Sequence, residues 1–163
     1  MFRMLLPTSL YLKFKGVKYG NNCRFNRTIQ FGSEPYLIEF GDNFYSSSNI
    51  QFVTHDGGIN VIRNLYPSYR DVDLIKPIII GNNVFIGYGC TVLPGTIIHD
   101  NVIVGANSVV RGELKSNSIY AGVPVRRISS IFDFLNKNKT EFIRTKLMSP
   151  KEKKKYLMKL KLK

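Results

Sequence analysis

Two side chains in this sequence can take up a proton near neutral pH by ordinary chemistry, His55 and His99. His55 lies in the stretch FVTHDGG, residues 52–58, and a polar segment follows it. An imidazole with the usual pKa of about 6.5 is largely free to accept a proton near neutrality. A positioned general base of that kind is worth about 10²–10⁴ in rate. The candidate carboxylates to serve it are Glu34, Asp56 beside it, and Asp71 and Asp73 in the segment that follows. Two cysteines are too few for a disulfide framework. Two histidines without paired ligand spacing argue against a zinc site, so no metal is expected.

The elements that position His55 are legible as a repeat. Ile80, Ile86, Val92, Ile98, Val104 and Val110 recur every six residues. Four places after each lead residue stands Val84, Cys90, Thr96, Val102, Ser108 or Leu114. A helix of period 3.6 cannot keep every sixth residue on one face. The pattern predicts an all-β solenoid of short parallel strands, with a corner every six residues and lead residues inside. Similar turns, GNN at 20–22, GDN at 41–43, GNN at 81–83 and HDN at 99–101, set the coil length. The last two are 18 apart, or three hexads. The first two are 21 apart, which places three extra residues within GSEPYLI. The middle pair is 40 apart, which leaves a protruding loop at about 58–79. The early lead residues become Tyr19, Phe25, Phe31, Phe40, Ser46 and Phe52, a bulkier core.

In this phasing His55 is the fourth residue of its hexad, at a corner where the chain leaves the repeat. A lone corner histidine is ordinarily just solvated, but long loops inside compact repeats are often functional. Glu34 is the fourth residue of a hexad one coil earlier. In register it would lie one rung away, about 4.8 Å. Glu34 or Asp56 is the expected partner of His55. Cys23 and Cys90 occupy inward fifth positions, where small structural thiols are expected. His99 replaces a turn glycine and reads as a surface residue.

The length fits one domain with an appendage. The expected organisation is an N-terminal segment over 1–16, the repeat over 17–125 and a basic helical extension over 126–163. The net charge of +13 predicts an anionic partner. No recognition motif accompanies the charge, so nucleic acid is not expected. The stretch MFRMLLPTSLYLKFKG is broken by Pro7 and does not read as a signal peptide. In the tail, SSIFDFLNKNKTEFIRTKLM reads as one helix or a bent pair. SPKEKKKYLMKL reads as a helix capped by Ser149, with Pro150 first and Glu152 third after the cap. Its lysines suit a solvated helix, or peripheral docking to an anionic membrane.

The hexads, the THDGG stretch and the closing AGVPVRRI resemble the hexapeptide-repeat acyltransferases, especially the sugar O-acetyltransferases of bacterial surface-polysaccharide clusters. The resemblance covers about residues 17–128. It implies a left-handed parallel β-helix, an acetyl-CoA donor and a sugar acceptor. It also implies a homotrimer with active sites between subunits and His55 as the base. The few cysteines point instead to a cytoplasmic location, and the lysine-rich tail to contact with the inner membrane surface. The positions matching the family's cofactor contacts are Tyr88, Ala106, Arg111, Gly112 and Arg126, with Arg63 and Arg127 as further basic candidates. Arg126 suits phosphate because a guanidinium gives paired charge-assisted bonds. Alternatives are an N-acetyltransferase on an amino-sugar nucleotide or other small acceptor, and a non-catalytic scaffold.

Overall fold

The computed structural model describes residues 8–160. Very short strands form three sheets. The first contains β1 (Lys18–Tyr19), β3 (Ile38–Phe40), β6 (Ile78–Ile80), β9 (Ile97–Ile98) and β12 (Glu113–Leu114). The second contains β2 (Gln30–Phe31), β5 (Gln51–Phe52), β8 (Thr91–Val92) and β11 (Val109–Val110). The third contains β4 (Tyr45–Ser46), β7 (Phe85–Ile86), β10 (Val102–Val104), β13 (Ser118–Ala121) and β14 (Arg126–Ser130). From β3 to β13 the chain visits the sheets in strict rotation, and each strand lies parallel to the one a coil away.

The pairing register matches the hexad arithmetic. Ile80 pairs with Ile98, Ile86 with Val104 and Val92 with Val110. Phe31 pairs with Phe52, and Phe40 with Ile80, so the three extra residues fall between Phe31 and Phe40. They are taken up by a 3-10 turn at Pro35–Leu37. The last coil departs from the expected phase: Leu114 pairs with Ile98, in a lead position, because the corner at Arg111–Gly112 is two residues shorter. Gly112 makes that tight corner at a φ of 75°.

Lead residues and their partners four places on fill the interior. Ile86, Val92, Val104 and Val110 are fully buried, as are Cys90, Thr96 and Val102. The early coils are packed with rings: Phe40 lies 4.5 Å from Phe44 and 5.3 Å from Phe52 between centroids. The interior hydroxyls are satisfied. Thr96 Oγ1 donates to Leu93 O at 2.6 Å, and Ser108 Oγ to Gly105 O at 2.8 Å. The thiols behave alike, with Cys23 Sγ at 3.1 Å from Gly41 O and Cys90 Sγ at 3.1 Å from Gly105 O. Burial raises both thiol pKa values.

Asparagine makes many of the corners. Asn22, Asn43, Asn83, Asn101 and Asn117 all adopt φ between 53° and 58°. Left-handed backbone disfavours most side chains, but Asn tolerates it through local hydrogen bonds. Here the bonds run between coils: Asn83 Nδ2 donates to Asn101 Oδ1 at 3.0 Å, and Asn101 Nδ2 to Asn117 Oδ1 at 2.9 Å.

Two expected boundaries change. The loop expected at about 58–79 is shorter: Ile78 and Ile80 are buried in the coil, so the excursion has ended by Lys76. The extension from residue 126 was expected to be helical, but Arg126–Ser130 forms β14, antiparallel to β13. Its pairing satisfies the backbone of the last coil, which a helix could not do.

At the other end, α1 (Thr8–Phe14) buries Leu12 in the core. Pro7 and the rest of 1–7 lie outside the described residues. The chain divides into two compact units, one ending at Phe132 and the other running from Asp133. The insert carries α2 (Ile59–Leu65), α3 (Ile131–Asn138) spans the division, and α4 (Pro150–Lys159) belongs to the second unit. The helix α4 has the expected capping box between Ser149 and Glu152. Among the described residues no helix is long and apolar enough to cross a membrane.

Candidate active site

His55 occupies the corner between β5 and β6, where the insert begins. Thr54, beside it, is fully buried, and its carbonyl accepts from Lys76 N at 2.9 Å. His55 and Ile75 form an antiparallel bridge, and Asp56 N donates to Leu74 O at 2.9 Å. These bonds tie the two ends of the insert together beneath the imidazole.

Glu34 reaches the same corner from the coil below. Its Oε1 stands 3.7 Å from His55 Nδ1, and its Oε2 accepts from Thr54 Oγ1 at 2.7 Å. The Glu34 side chain is 12% exposed and that of His55 30%. The extra residues of the 3-10 turn leave Glu34 in register, as the hexad phase predicts. At 3.7 Å the pair is an electrostatic contact, slightly beyond a direct hydrogen bond. Such contacts often tighten when substrate binds.

Asp56 does not pair with His55. Its Oδ1 accepts from Gly58 N at 2.9 Å, forming the turn into the insert. The carboxylate on the far side of the ring is Asp73, with Oδ1 3.6 Å from His55 Nε2. Arg63 holds Asp73 by an ion pair and donates through Nε to Val72 O at 2.7 Å. The expectation that Arg63 is a basic cofactor contact therefore gives way to an internal clamp on the insert. The sequence offers little signal for Asp73, because its placement depends on how the insert folds back.

A cavity of about 500 Å³ opens beside the imidazole. It is lined by His55, Asp56, Lys76, Gly95, Arg111 and Gly112, with Leu74, Leu93 and Pro94 among the apolar walls. The Lys76 stem packs on Gly95: a Cβ there would lie 3.0 Å from Lys76 Cδ. Lys76 and Arg111 make the cavity suited to an anionic or strongly polar guest.

The remaining cofactor candidates sit elsewhere. Tyr88 and Ala106 lie at the corners between the third and second sheets. Tyr88 is exposed, and its hydroxyl accepts from Asn49 Nδ2 at 3.0 Å. Ala106 backs directly onto Gly87, where a Cβ would come within 2.6 Å of Ala106 N. Arg126 is exposed at the start of β14, and its Nη1 donates to Val125 O at 3.0 Å. Arg127 is engaged with Ser118 Oγ at 3.0 Å. Thus Arg111 and Gly112 share the corner of His55, while Tyr88, Ala106 and Arg126 do not. His99, at a third corner, lies 2.6 Å from Glu113 Oε1. Lys115 and then His99 hold the Glu113 carboxyl below the usual carboxylate range.

Residues 77–112 match the family model described as bacterial transferase hexapeptide (six repeats). The chain is 43% identical over 145 residues to Protein CapG of Staphylococcus aureus, covering 88% of this chain and 83% of that protein. The chain belongs to the hexapeptide-repeat acyltransferases. Another relative in this acyltransferase family is the putative lipopolysaccharide biosynthesis O-acetyl transferase WbbJ of Escherichia coli K12. It is 48% identical over 65 residues, which cover 40% of this chain but only 33% of WbbJ. Among solved acyltransferases, galactoside acetyltransferase in complex with coenzyme A superposes with a TM-score of 0.54 at 28% identity. That match covers 73% of this chain and 67% of the other.

Proposed function

We propose that this protein is an acetyl-CoA-dependent O-acetyltransferase that acts on a sugar hydroxyl in surface-polysaccharide synthesis, with His55 as general base. The observation that carries the reading is the imidazole at the mouth of the cavity, with Glu34 set against its Nδ1 from the coil below. WbbJ and the coenzyme A complex of galactoside acetyltransferase support the acceptor class and the donor.

In this reading the acceptor hydroxyl gives its proton to Nε2 as its oxygen attacks the thioester carbonyl. The tetrahedral adduct then expels the thiolate, and the imidazolium returns the proton to sulfur. The thiolate is a good leaving group, so no enzyme nucleophile is needed. Glu34 orients the ring and faces the positive charge that develops on it.

The coils wind left-handed, as in the family, against the usual handedness of parallel crossovers. The protein works as a homotrimer in which one copy sets its Tyr88, Ala106 and Arg126 edge against the His55 corner of the next. The separation of these groups onto different corners supports that arrangement. Arg126 meets a cofactor phosphate, and Arg111 with Gly112 line the reacting end. The enzyme operates in the cytoplasm, and the lysines of its C-terminal tail suit a solvated helix or peripheral contact with the inner membrane surface.

The test is release of free thiol from acetyl-CoA against a panel of sugars and amino sugars. Acceptor-dependent release with an ester product is the expected result. An amide product would move the enzyme to N-acetylation, and no release with any acceptor would leave a binding scaffold.

A further inference from the structure

We propose that Asp73 is an acceptor-binding residue, and that with His55 it selects an acceptor bearing two adjacent hydroxyls. This rests on the acetyl-transfer reading and adds to it the class of acceptor.

The geometry is that of two hydrogen-bond acceptors side by side. Asp73 Oδ1 and His55 Nε2 are 3.6 Å apart, too far for a direct hydrogen bond. An ionised carboxylate only accepts, and it has about four lone-pair sites, of which the Arg63 contact uses one. Neighbouring hydroxyls on a saturated ring supply a matching pair of O–H donors. One would give its proton to Nε2 and become the attacking oxygen. The other would donate to Asp73 and remain unchanged, fixing the ring so that the first oxygen faces the thioester.

Asp73 is prepared for this before any acceptor arrives. Arg63 reaches from α2 to the returning chain, with Nε on Val72 O and Nη1 on Asn60 Oδ1 at 2.9 Å. Its Nη2 meets Asp73 Oδ1. A carboxylate on an unanchored loop would have to be ordered by the acceptor, at a cost in affinity. Here the clamp has already fixed it and balances its charge beside the base. Asp56, the other acid at this corner, already accepts from Gly58 N through its Oδ1.

The experiment uses wild type, Asp73→Ala and Asp73→Asn with methyl hexopyranosides and UDP-hexoses as probes. The acetylated position of the product is located by NMR. Acceptors deoxygenated next to that position, or at a remote position, are then compared. Loss of the neighbouring hydroxyl should cost wild type on the order of 10- to 100-fold in kcat/KM, the range for a charge-assisted hydrogen bond. Most of the loss should lie in acceptor KM. The same deletion should cost Asp73→Ala almost nothing, because the two losses share one interaction. Asp73→Asn keeps an oxygen at the same reach and should restore part of the dependence. If Asp73→Ala loses the same factor on the parent and the neighbouring-deoxy acceptor, the proposal is overturned, since a merely loosened insert would act on both alike. Efficient transfer to a hydroxyl without a neighbour would overturn it while leaving the parent reading intact. Absence of transfer to every probe would overturn both.

Discussion

The Nδ1 of His55 stands 3.7 Å from Oε1 of Glu34, although 21 residues of chain separate them. The contact exists because Phe31 and Phe52 pair as lead residues of successive coils, and each acid or base follows its phenylalanine at the corner. Glu34→Gln keeps the shape and removes the charge. It should lower kcat by about 10-fold or more if the carboxylate faces the developing imidazolium. Acceptor KM should change little. A large rise in acceptor KM at unchanged kcat would instead make Glu34 a sugar-binding residue.

Thr54 tests the support beneath Glu34. Its hydroxyl is buried and donates to Glu34 Oε2 at 2.7 Å. Thr54→Val keeps the volume and deletes the donor. Leaving that oxygen without a partner should cost about 1–3 kcal/mol in urea unfolding. It should also reduce kcat in the same direction as Glu34→Gln. Full turnover in a destabilised Thr54→Val would separate the scaffold from the role proposed for Glu34.

The repeat, the core and the His55–Glu34 pair were legible because each rests on one period. Lead residues six apart must share a face, and Glu34 and His55 share a hexad position. The extra residues 35–37 did not disturb that phase, because they fold into a local 3-10 turn. Where the period stops, so does the reading. Asp73 reaches His55 because the insert folds back upon itself, tied by backbone bonds and the Arg63 clamp, and no local pattern encodes that return. Asp56 adjoins His55 in sequence, yet its side chain serves the backbone of its own turn. The strand at Arg126–Ser130 was also hidden, since it pairs antiparallel and outside the hexad phase.

Asn101 links two corners of the ladder, accepting from Asn83 and donating to Asn117. Its φ of 58° makes alanine costly there. Asn101→Ala should lower stability by about 1–2 kcal/mol from the backbone conformation, with lost side-chain bonds in addition. Asn101→Gly should be milder, because glycine tolerates that backbone. Chemical denaturation of both variants checks the order; equal losses would mean that the ladder bonds dominate.

Burial raises the pKa of Cys90 and Cys23, so the reactive thiolate appears only at higher pH than for a free cysteine. Native protein should therefore react slowly with iodoacetamide at neutral pH, Cys90 most slowly of all. The rate should rise with pH and become fast on unfolding. Rapid alkylation of Cys90 in the native state at pH 7 would contradict a structural role.

In the proposed mechanism His55 carries the proton in acetyl transfer. The most direct measurement compares steady-state turnover, with acetyl-CoA and an active acceptor, for wild type, His55→Ala and His99→Ala. His55→Ala should keep the fold and the cofactor affinity and lose about 10²–10⁴ in kcat, the span of a general base. His99→Ala, whose imidazole only meets Glu113 at another corner, should turn over nearly as wild type does. Near-wild-type turnover in His55→Ala, or a comparable loss in His99→Ala, would contradict it.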